Sequence, residues 1–175
     1  MALVLPFNNI HPKISESAFI ADDVHVIGDV EIGEDANIWF GSVVRGDVSY
    51  IRIGARTNIQ DMTMIHVSSD FGPTIIGEEV TVGHRVTLHG CYVERQCLIG
   101  MGAIVMDHAR IGEQSVIGAG SLVSPGTIIA PRVLALGSPA RVKRDLTAEE
   151  LAYLDKSWRN YVELKKHYSE IPREL

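Results

Sequence analysis

Residues 99–123 read IGMGAIVMDHARIGEQSVIGAGSLV, and an aliphatic residue returns at every sixth position: Ile99, Val105, Ile111, Ile117 and Val123. A period of six fits neither an α-helix, whose period is 3.6, nor a strand with alternating faces, whose period is two. It is typical of a solenoid in which short parallel strands form the sides of a three-sided coil. An ordinary β-sandwich, the alternative, does not keep one register over many repeats. The stretch therefore predicts a β-solenoid.

The same repeat extends in both directions, interrupted by inserts before Ile53 and Ile76 and by a deletion before Val93. The other aliphatic positions are Ile14, Ile20, Val26, Ile32, Ile38, Val44, Ile59, Ile65, Val82, Leu88 and Ile129. A small residue often stands four positions later and a glycine one position later, as at Gly54 and Gly100. We expect the small residue to fill the narrow interior and the glycine to supply a positive φ at the corner.

The repeat ends after Ile129, so we expect the solenoid to cover residues 1–140 and a C-terminal helix to cover 145–170. Thr147-Ala148-Glu149-Glu150 reads as a capping box, and Pro172 is expected to end the helix. One apolar face is formed by Leu151, Leu154, Trp158, Tyr161 and Tyr168. We expect this face to lie along the solenoid and to cover a strand edge or a flat side.

Size and composition limit the function. A chain of 175 residues is expected to form one domain, and a net charge of −6 with scattered basic residues argues against a nucleic-acid partner. No apolar run has membrane-spanning length and the amino terminus does not resemble a signal peptide, which predicts a cytoplasmic protein without a membrane partner. Cys91 and Cys97 are too few for a disulfide framework and are expected to be reduced thiols.

Two histidines occupy equivalent positions in adjacent coils. Counting repeats places Leu88 above Ile65, and His89 and His66 each follow one of these residues directly. Because adjacent parallel strands are about 4.8 Å apart, the two imidazoles can converge on a metal with bonds of about 2.1 Å. A single such histidine would more readily be read as an ordinary surface residue, which is how we read His11, His25, His108 and His167.

A third histidine points to a site shared between chains. His84 lies two residues past Val82, on the preceding face, and so it points away from His66 and His89. A neighbouring copy packed side by side could supply it, and a three-sided prism that packs through its flat faces favours a three-fold ring. Trp39 and Phe40 are candidates for the subunit contact.

The histidines belong to a longer set of motifs: Val44-Arg45-Gly46-Asp47, Ile53-Gly54, Thr57-Asn58-Ile59-Gln60-Asp61, Ile65-His66-Val67, Val82-Gly83-His84 and Leu88-His89-Gly90-Cys91. With these motifs the chain resembles, over nearly its whole length, the γ-class carbonic anhydrases, in the branch also called carbonic anhydrase-like or ferripyochelin-binding-like. The resemblance implies a left-handed parallel β-helix with a C-terminal α-helix, assembled as a homotrimer with three interfacial metal sites. It implies that His66 and His89 of one subunit and His84 of the next bind the metal, and that Arg45 and Asp47 form ion pairs across the interface. A solvated Arg45–Asp47 pair is the alternative.

Three neutral imidazoles and an open fourth position describe a catalytic zinc site, although Fe²⁺ or Co²⁺ also suits them. Such a metal lowers the pKa of bound water to about 7, which gives a hydroxide that can attack CO2 and form bicarbonate. In the resembled family, Gln60 and Asp61 would orient the water and the substrate, and Asn58 would help to place CO2. Tyr161 is expected to approach the site, with Tyr168 as the other possibility and helix packing as the alternative for both.

The chain departs from the family at the residues that export the proton. The insert Ser68-Ser69-Asp70-Phe71-Gly72-Pro73 contains no glutamate, and no acidic residue follows Asp47. We therefore expect a metal site at which the export of the proton limits turnover. Three other functions stay open: a CoA-dependent acyltransferase, because Gly137-Ser138-Pro139-Ala140-Arg141 resembles the segment that ends such solenoids; a thioesterase acting on CoA esters; and a non-enzymatic binding or assembly subunit.

Overall fold

The structure is a computed structural model that describes residues 1–70 and 72–171. Short strands, numbered here in chain order, stack in parallel on three sides of a prism. The first side is formed by β1 (Leu3–Leu5), β4 (His25–Ile32), β6 (Val43–Ile53), β8 (Met64–His66), β11 (Thr87–His89), β14 (Ile104–Val105) and β17 (Leu122–Val123). The long strands β4 and β6 bend around a corner and continue on the second side.

The second side adds β2 (Lys13–Ile14), β9 (Thr74–Ile76), β12 (Tyr92–Val93), β15 (Arg110–Ile111) and β18 (Ile128–Ile129) to the ends of β4 and β6. The third side is formed by β3 (Phe19–Ile20), β5 (Asn37–Ile38), β7 (Asn58–Ile59), β10 (Thr81–Val82), β13 (Leu98–Ile99), β16 (Val116–Ile117), β19 (Val133–Gly137) and β20 (Ala140–Asp145). Helix α1 (Ala148–Glu170) follows.

The six-residue repeat forms the core, as predicted. Val44, Ile65 and Leu88 pair in register on adjacent strands, and all three are fully buried. The other repeat aliphatics are buried too, except for Ile14 and Ile20 in the first coil, which are partly buried. Each coil thus buries its side chains against the coils above and below it, which gives one continuous apolar column.

The glycines that follow the aliphatic residues were predicted to supply a positive φ, and this explanation was wrong. Gly54 and Gly100 do not have positive φ; instead, a Cβ on either glycine would lie 2.5 Å from backbone nitrogen of the next coil. These glycines are needed because adjacent backbones approach closely. The positive φ occurs three residues after most of the aliphatic positions, where Asp35, Arg56 and Gln96 are among the residues that adopt it.

The small residues fill the interior as predicted, and those with hydroxyl groups are satisfied by the neighbouring coil. Thr57 donates a hydrogen bond to the carbonyl oxygen of Gly77 at 2.7 Å, and Ser115 donates to that of Ala130 at 2.8 Å. Both side chains are fully buried. Because an unpaired buried hydroxyl would be costly, the next coil stabilises these residues by offering an acceptor.

The solenoid continues past the predicted end of the repeat. Ala135 of β19 takes the inward position in register with Ile117, and it is fully buried. Strand β20, which was not predicted, then turns back antiparallel to β19. Helix α1 begins after the N-cap Thr147, whose reciprocal bonds with Glu150 form the predicted capping box. Pro172, expected to end the helix, lies outside the described residues.

Helix α1 packs along the third side, against β5, β7 and β10. Trp39 is only 3% exposed because the rings of Tyr161 and Tyr168 cover it, with centroids 5.6 and 4.9 Å away. The expectation that Trp39 contacts another subunit is therefore wrong, while Phe40 stays partly exposed beside it. On the helix, Leu154 and Trp158 are buried.

Candidate metal centre

His66 and His89 stand one above the other on the first side of the prism. They pair in register at the ends of β8 and β11, and their ring centroids lie 5.2 Å apart. Both side chains are mostly shielded from solvent but keep an accessible edge. The predicted stacking is confirmed, and two imidazoles at this separation can converge on one ion.

A carboxylate and a guanidinium accompany His66. Asp47 Oδ1 lies 3.0 Å from His66 Nε2, and Arg45 forms a hydrogen-bonded ion pair with the same carboxylate. Burial alone would raise the pKa of Asp47, but the hydrogen bonds from Arg45 and His66 outweigh it and the pKa lies below its ordinary value. Burial lowers the pKa of His66, Asp47 opposes that shift, and the charge of Arg45 adds to it. The lowered pKa of His66 favours the neutral form that a metal requires.

Asp107 accompanies His89, and sequence reasoning missed it. Its Oδ1 lies 2.7 Å from His89 Nδ1, and the carboxylate is only 13% exposed. Gly90, directly after His89, leaves room for this contact, since a Cβ there would lie 2.6 Å from the same oxygen. The repeat could have indicated this contact. Val105 lies in the coil above Leu88, and Asp107 follows Val105, so Asp107 lies in the coil above His89.

His84 lies away from this pair, as predicted, at the corner that joins the third side to the first. Its Nδ1 lies 2.7 Å from Oδ2 of Asp61, which occupies the same corner one coil earlier. Both residues are partly exposed at the edge of a shallow cavity of about 500 Å³. In the described ranges of one chain, no three histidine, cysteine, aspartate or glutamate side chains are grouped so that they could hold a metal ion.

Gln60 and Asn58 form a buried polar cluster under helix α1. Asn58 Nδ2 donates to Thr81 Oγ1 at 2.9 Å and to the carbonyl of Val80 at 3.4 Å. A carbonyl can only accept, so the amide nitrogen of Asn58 must face it and Asn58 Oδ1 must accept from Gln60 Nε2, at 3.1 Å. Within residues 1–70 and 72–171 no donor bonds Gln60 Oε1, which can therefore act as an acceptor. Asn58 is fully buried, and its contacts favour the positioning of Gln60 over direct contact with a substrate.

Tyr161 is the helix tyrosine that approaches these residues. It lines a cavity of about 470 Å³ together with Gln60 and His84, between helix α1 and the third side. Burial raises the pKa of Tyr161, and the charge of Asp61 raises it further. Tyr168 instead packs against Phe19, Trp39 and Phe40.

The remaining predicted residues do not add a side chain to the histidine site. Asp70 is exposed in the insert between β8 and β9. Cys91 and Cys97 are unpaired and buried, and burial raises the pKa of each thiol to about 12. Neither thiol is therefore suited to act as a nucleophile.

The donor set fits a divalent transition metal. Each of the three histidines has one ring nitrogen within 3.0 Å of an aspartate oxygen, and among the described residues the other nitrogen has no hydrogen-bond partner. Metal-binding histidines usually have such a carboxylate partner, which fixes the ring and its tautomer. Two histidines on one side and a third on a different corner can act together only if a second chain brings its corner to the first side.

No helix in the part of the chain that the structure describes combines the length and the apolar character needed to cross a membrane.

Comparison with protein families matches the bacterial transferase hexapeptide model (six repeats) to residues 11–46 and 90–125, and the hexapeptide repeat of succinyl-transferase to residues 73–106. A carbonic anhydrase from Geobacillus kaustophilus is 51% identical over 98% of this chain and 94% of its own length. The mitochondrial gamma carbonic anhydrase 2 of Arabidopsis thaliana is 43% identical over 91% of this chain and 59% of its own length.

Among solved structures, a hexapeptide transferase family protein from Anaplasma phagocytophilum superposes with a TM-score of 0.92. It is 44% identical, and the match covers 95% of this chain and 98% of that one. The repeat, the solenoid and the extent of the identity to the carbonic anhydrases lead to one assignment: the chain belongs to the γ-class carbonic anhydrase family of hexapeptide-repeat proteins.

Proposed function

We propose that this protein catalyses the metal-dependent, reversible hydration of CO2 to bicarbonate at sites shared between the subunits of a homotrimer. The observation that carries the proposal is the arrangement of the histidines: His66 and His89 are stacked on one side, and His84 lies on another corner, each beside its own aspartate. Zinc is the metal we propose, and Fe²⁺ and Co²⁺ suit the same ligands.

Exposed apolar side chains support an assembly that joins the two halves of the site. Met64 and Ile104 are exposed on the first side, on the strands beside His66 and His89. Met62 and Met101, about 60% exposed, line the cavity beside His84. Packing the first side of one chain against the corner of the next would bury both groups. Repeated around a closed ring, this contact gives three equivalent sites.

A divalent metal on three neutral imidazoles with an open position supplies an acidified water and therefore a nucleophile at neutral pH. The chain's own groups would orient the reactants. Gln60 offers its free Oε1 as an acceptor, held in that orientation by Asn58. The Asp61 carboxylate fixes His84 through Nδ1 and keeps a second oxygen for the water. Tyr161 closes the apolar side of the cavity and excludes bulk water.

The same residues suggest that proton export limits the rate. Asp47 is occupied by Arg45 and His66, and Asp70 is the acidic residue that remains in the insert. Exposed Asp70 has the solvent access that a proton carrier needs. We therefore expect turnover to be slower than the metal site alone would allow, and to rise when an external buffer carries the proton. The buried, unpaired thiols fit the cytoplasm as the location.

Subunit mixing tests the shared site directly. The variants His66→Ala and His84→Ala should each bind no zinc as pure trimers. Trimers reassembled from a random one-to-one mixture should recover about one quarter of the wild-type sites, because each mixed trimer contains a single junction with all three histidines. Zinc content and stopped-flow CO2 hydration should recover together.

The matched control is a mixture of His66→Ala and His89→Ala, which removes two ligands from the same half-site. That mixture should recover nothing, with native mass spectrometry confirming subunit exchange in both cases. Full zinc occupancy in the pure His84→Ala trimer would contradict the shared site. Fully loaded wild-type trimers that do not hydrate CO2 would contradict the reaction while leaving the metal site intact.

The cavity between helix α1 and the third side favours a second candidate, the cleavage of a thioester. Its volume of about 470 Å³ is far larger than CO2 needs, and Leu98, Val116 and Gly100 give it an apolar floor. An acyl chain could lie in it with its carbonyl near Gln60 and His84. Acetyl-CoA hydrolysis by the metal-loaded protein, lost in Val116→Phe while CO2 hydration persists, would support this function. Absence of hydrolysis with or without metal would exclude it.

A further inference from the structure

The contact between His89 and Asp107 is short and shielded from solvent, and it can fix the orientation of His89 as a metal ligand. Asp107 reaches His89 from the coil above, where it follows β14, and the Nδ1 to Oδ1 distance is 2.7 Å. The carboxylate is largely buried and the imidazole is partly buried, so water competes weakly for either group. Gly90 is the residue that makes the approach possible, because any Cβ there would strike the same carboxylate oxygen.

A carboxylate accepts hydrogen bonds and cannot donate them. The proton of neutral His89 must therefore sit on Nδ1, which donates to Asp107, and the lone pair must sit on Nε2. Without this partner, the imidazole could carry its proton on either nitrogen and could rotate about its side-chain bonds. The contact selects one tautomer and one orientation before any metal arrives.

His66 has the opposite arrangement. Its Nε2 faces Asp47, so its free nitrogen is Nδ1. The two stacked histidines are thus supported by different atoms and from opposite directions along the solenoid, by Asp47 from the coil below and by Asp107 from the coil above.

We propose that Asp107 is a positioning residue that presents Nε2 of His89 for metal binding. This inference rests on the proposed metal site and adds to it a residue that acts through His89 without touching the metal. Loss of such a partner typically weakens metal binding by about 10- to 100-fold. Asp107→Ala removes the acceptor, whereas Asp107→Asn keeps an acceptor oxygen and loses the charge, so we expect the second variant to bind zinc more tightly than the first.

Zinc affinity, measured by competition with a chromophoric chelator, is the main readout. Wild-type protein, Asp107→Asn and Asp107→Ala should rank in that order, with thermal unfolding and trimer content recorded for each. Asp145→Asn, an exposed aspartate on β20, is the matched control and should leave the affinity unchanged. Equal affinity in the wild-type protein and the Asp107 variants would overturn the inference.

A second measurement needs neither metal nor a folded variant. Nitrogen chemical shifts of histidine-labelled, metal-free wild-type protein at about pH 8, where imidazoles are neutral, report the tautomer of each ring. We expect His89 to be protonated on Nδ1 and His66 on Nε2. Protonation of His89 on Nε2 would overturn the inference. Wild-type protein that binds no zinc while His89 shows the expected tautomer would instead mean that the proposed function has failed.

Discussion

Asp61 Oδ2 lies 2.7 Å from His84 Nδ1, so the carboxylate expected to orient the reactants also supports one of the expected metal ligands. Both groups lie on a corner that is remote from His66 and His89 in the same chain. If the trimer forms as proposed, one subunit contributes this corner as a unit. A substitution at Asp61 can remove its support of His84, its orientation of the reactants, or both. Metal affinity and catalysis should therefore respond differently to different substitutions.

Asp61→Asn keeps an oxygen that can accept from His84, and it loses the charge that orients the water. We expect zinc content to be retained and kcat/KM for CO2 hydration to fall by about 10²-fold, the effect of losing one preorganised electrostatic group. Asp61→Ala should lose zinc as well. Asp155→Asn, on the exposed face of helix α1, serves as the control. Unchanged kcat/KM in Asp61→Asn would contradict the assigned role.

The two helix tyrosines should respond differently to loss of their hydroxyl groups. Tyr161→Phe keeps the ring packing against Trp39 but removes the hydroxyl of a residue that lines the same cavity as Gln60 and His84, so we expect kcat/KM to fall with little change in stability. Tyr168→Phe should leave activity unchanged, because that ring packs against Phe19, Trp39 and Phe40. Steady-state kinetics with thermal unfolding checks both variants, and an equal effect of the two would remove Tyr161 from the site.

Two glycines that look alike in the sequence should tolerate substitution differently. A Cβ at Gly100 would lie 2.5 Å from the backbone nitrogen of Ala119, so Gly100→Ala should lower the free energy of unfolding by about 1–3 kcal/mol. Gly120 has a φ of +65° and open space around it. Because asparagine adopts this conformation readily, Gly120→Asn should cost less than about 1 kcal/mol. Chemical denaturation compares the two, and a larger loss at Gly120 would contradict the close-approach explanation.

Leu88 connects the fold to the metal centre, because it is fully buried directly before His89. Leu88→Ala should destabilise the protein by about 2–5 kcal/mol through lost burial and an unfilled cavity. Ile128→Ala is the matched control, since that side chain is 75% exposed and its loss should change stability by no more than about 0.5 kcal/mol. Similar losses for the two variants, measured by denaturation at one protein concentration, would show that the repeat aliphatics are not the core.

The metal-free protein should lose stability as the pH falls through the range in which His66 titrates when unfolded. The folded pKa of His66 lies below the ordinary value of 6.5, so between those two values the unfolded chain binds a proton that the folded chain does not. The contribution of His66 to the free energy of unfolding is therefore fully present above pH 6.5 and declines below it. His66→Asn should flatten this part of the curve of unfolding free energy against pH, and an unchanged slope in that variant would contradict the assignment.

Much of the architecture could be predicted because a six-residue period converts sequence distance into position. It placed Ile65 under Leu88 and His66 under His89, and both pairings are confirmed. The reason given for the glycines failed, because the pattern shows where a glycine stands but not whether a backbone approaches it. Trp39 was taken for a subunit contact because the repeat does not show which side the C-terminal helix covers.

The supporting residues of the site were harder to find. Asp107 lies one coil above His89, but a search for metal ligands looks for histidines and does not count their partners. The pairing of Asp61 with His84 and the buried orientation of Asn58 depend on side-chain rotamers, which spacing alone does not specify. Strand β20 also escaped prediction, because it follows no repeat position.

Strand β20 has a consequence for how the molecule behaves at high concentration. A parallel solenoid ends in an open strand edge, and such an edge is a template on which another chain could pair and extend the stack into a filament. Here the last strand of the third side, β19, is covered by the antiparallel strand β20, which exposes Arg141, Lys143 and Arg144. Arg144 is ion-paired with Glu150 of helix α1. Charged side chains on an edge strand disfavour the pairing of a further strand, so β20 limits growth of this side of the stack along the prism axis.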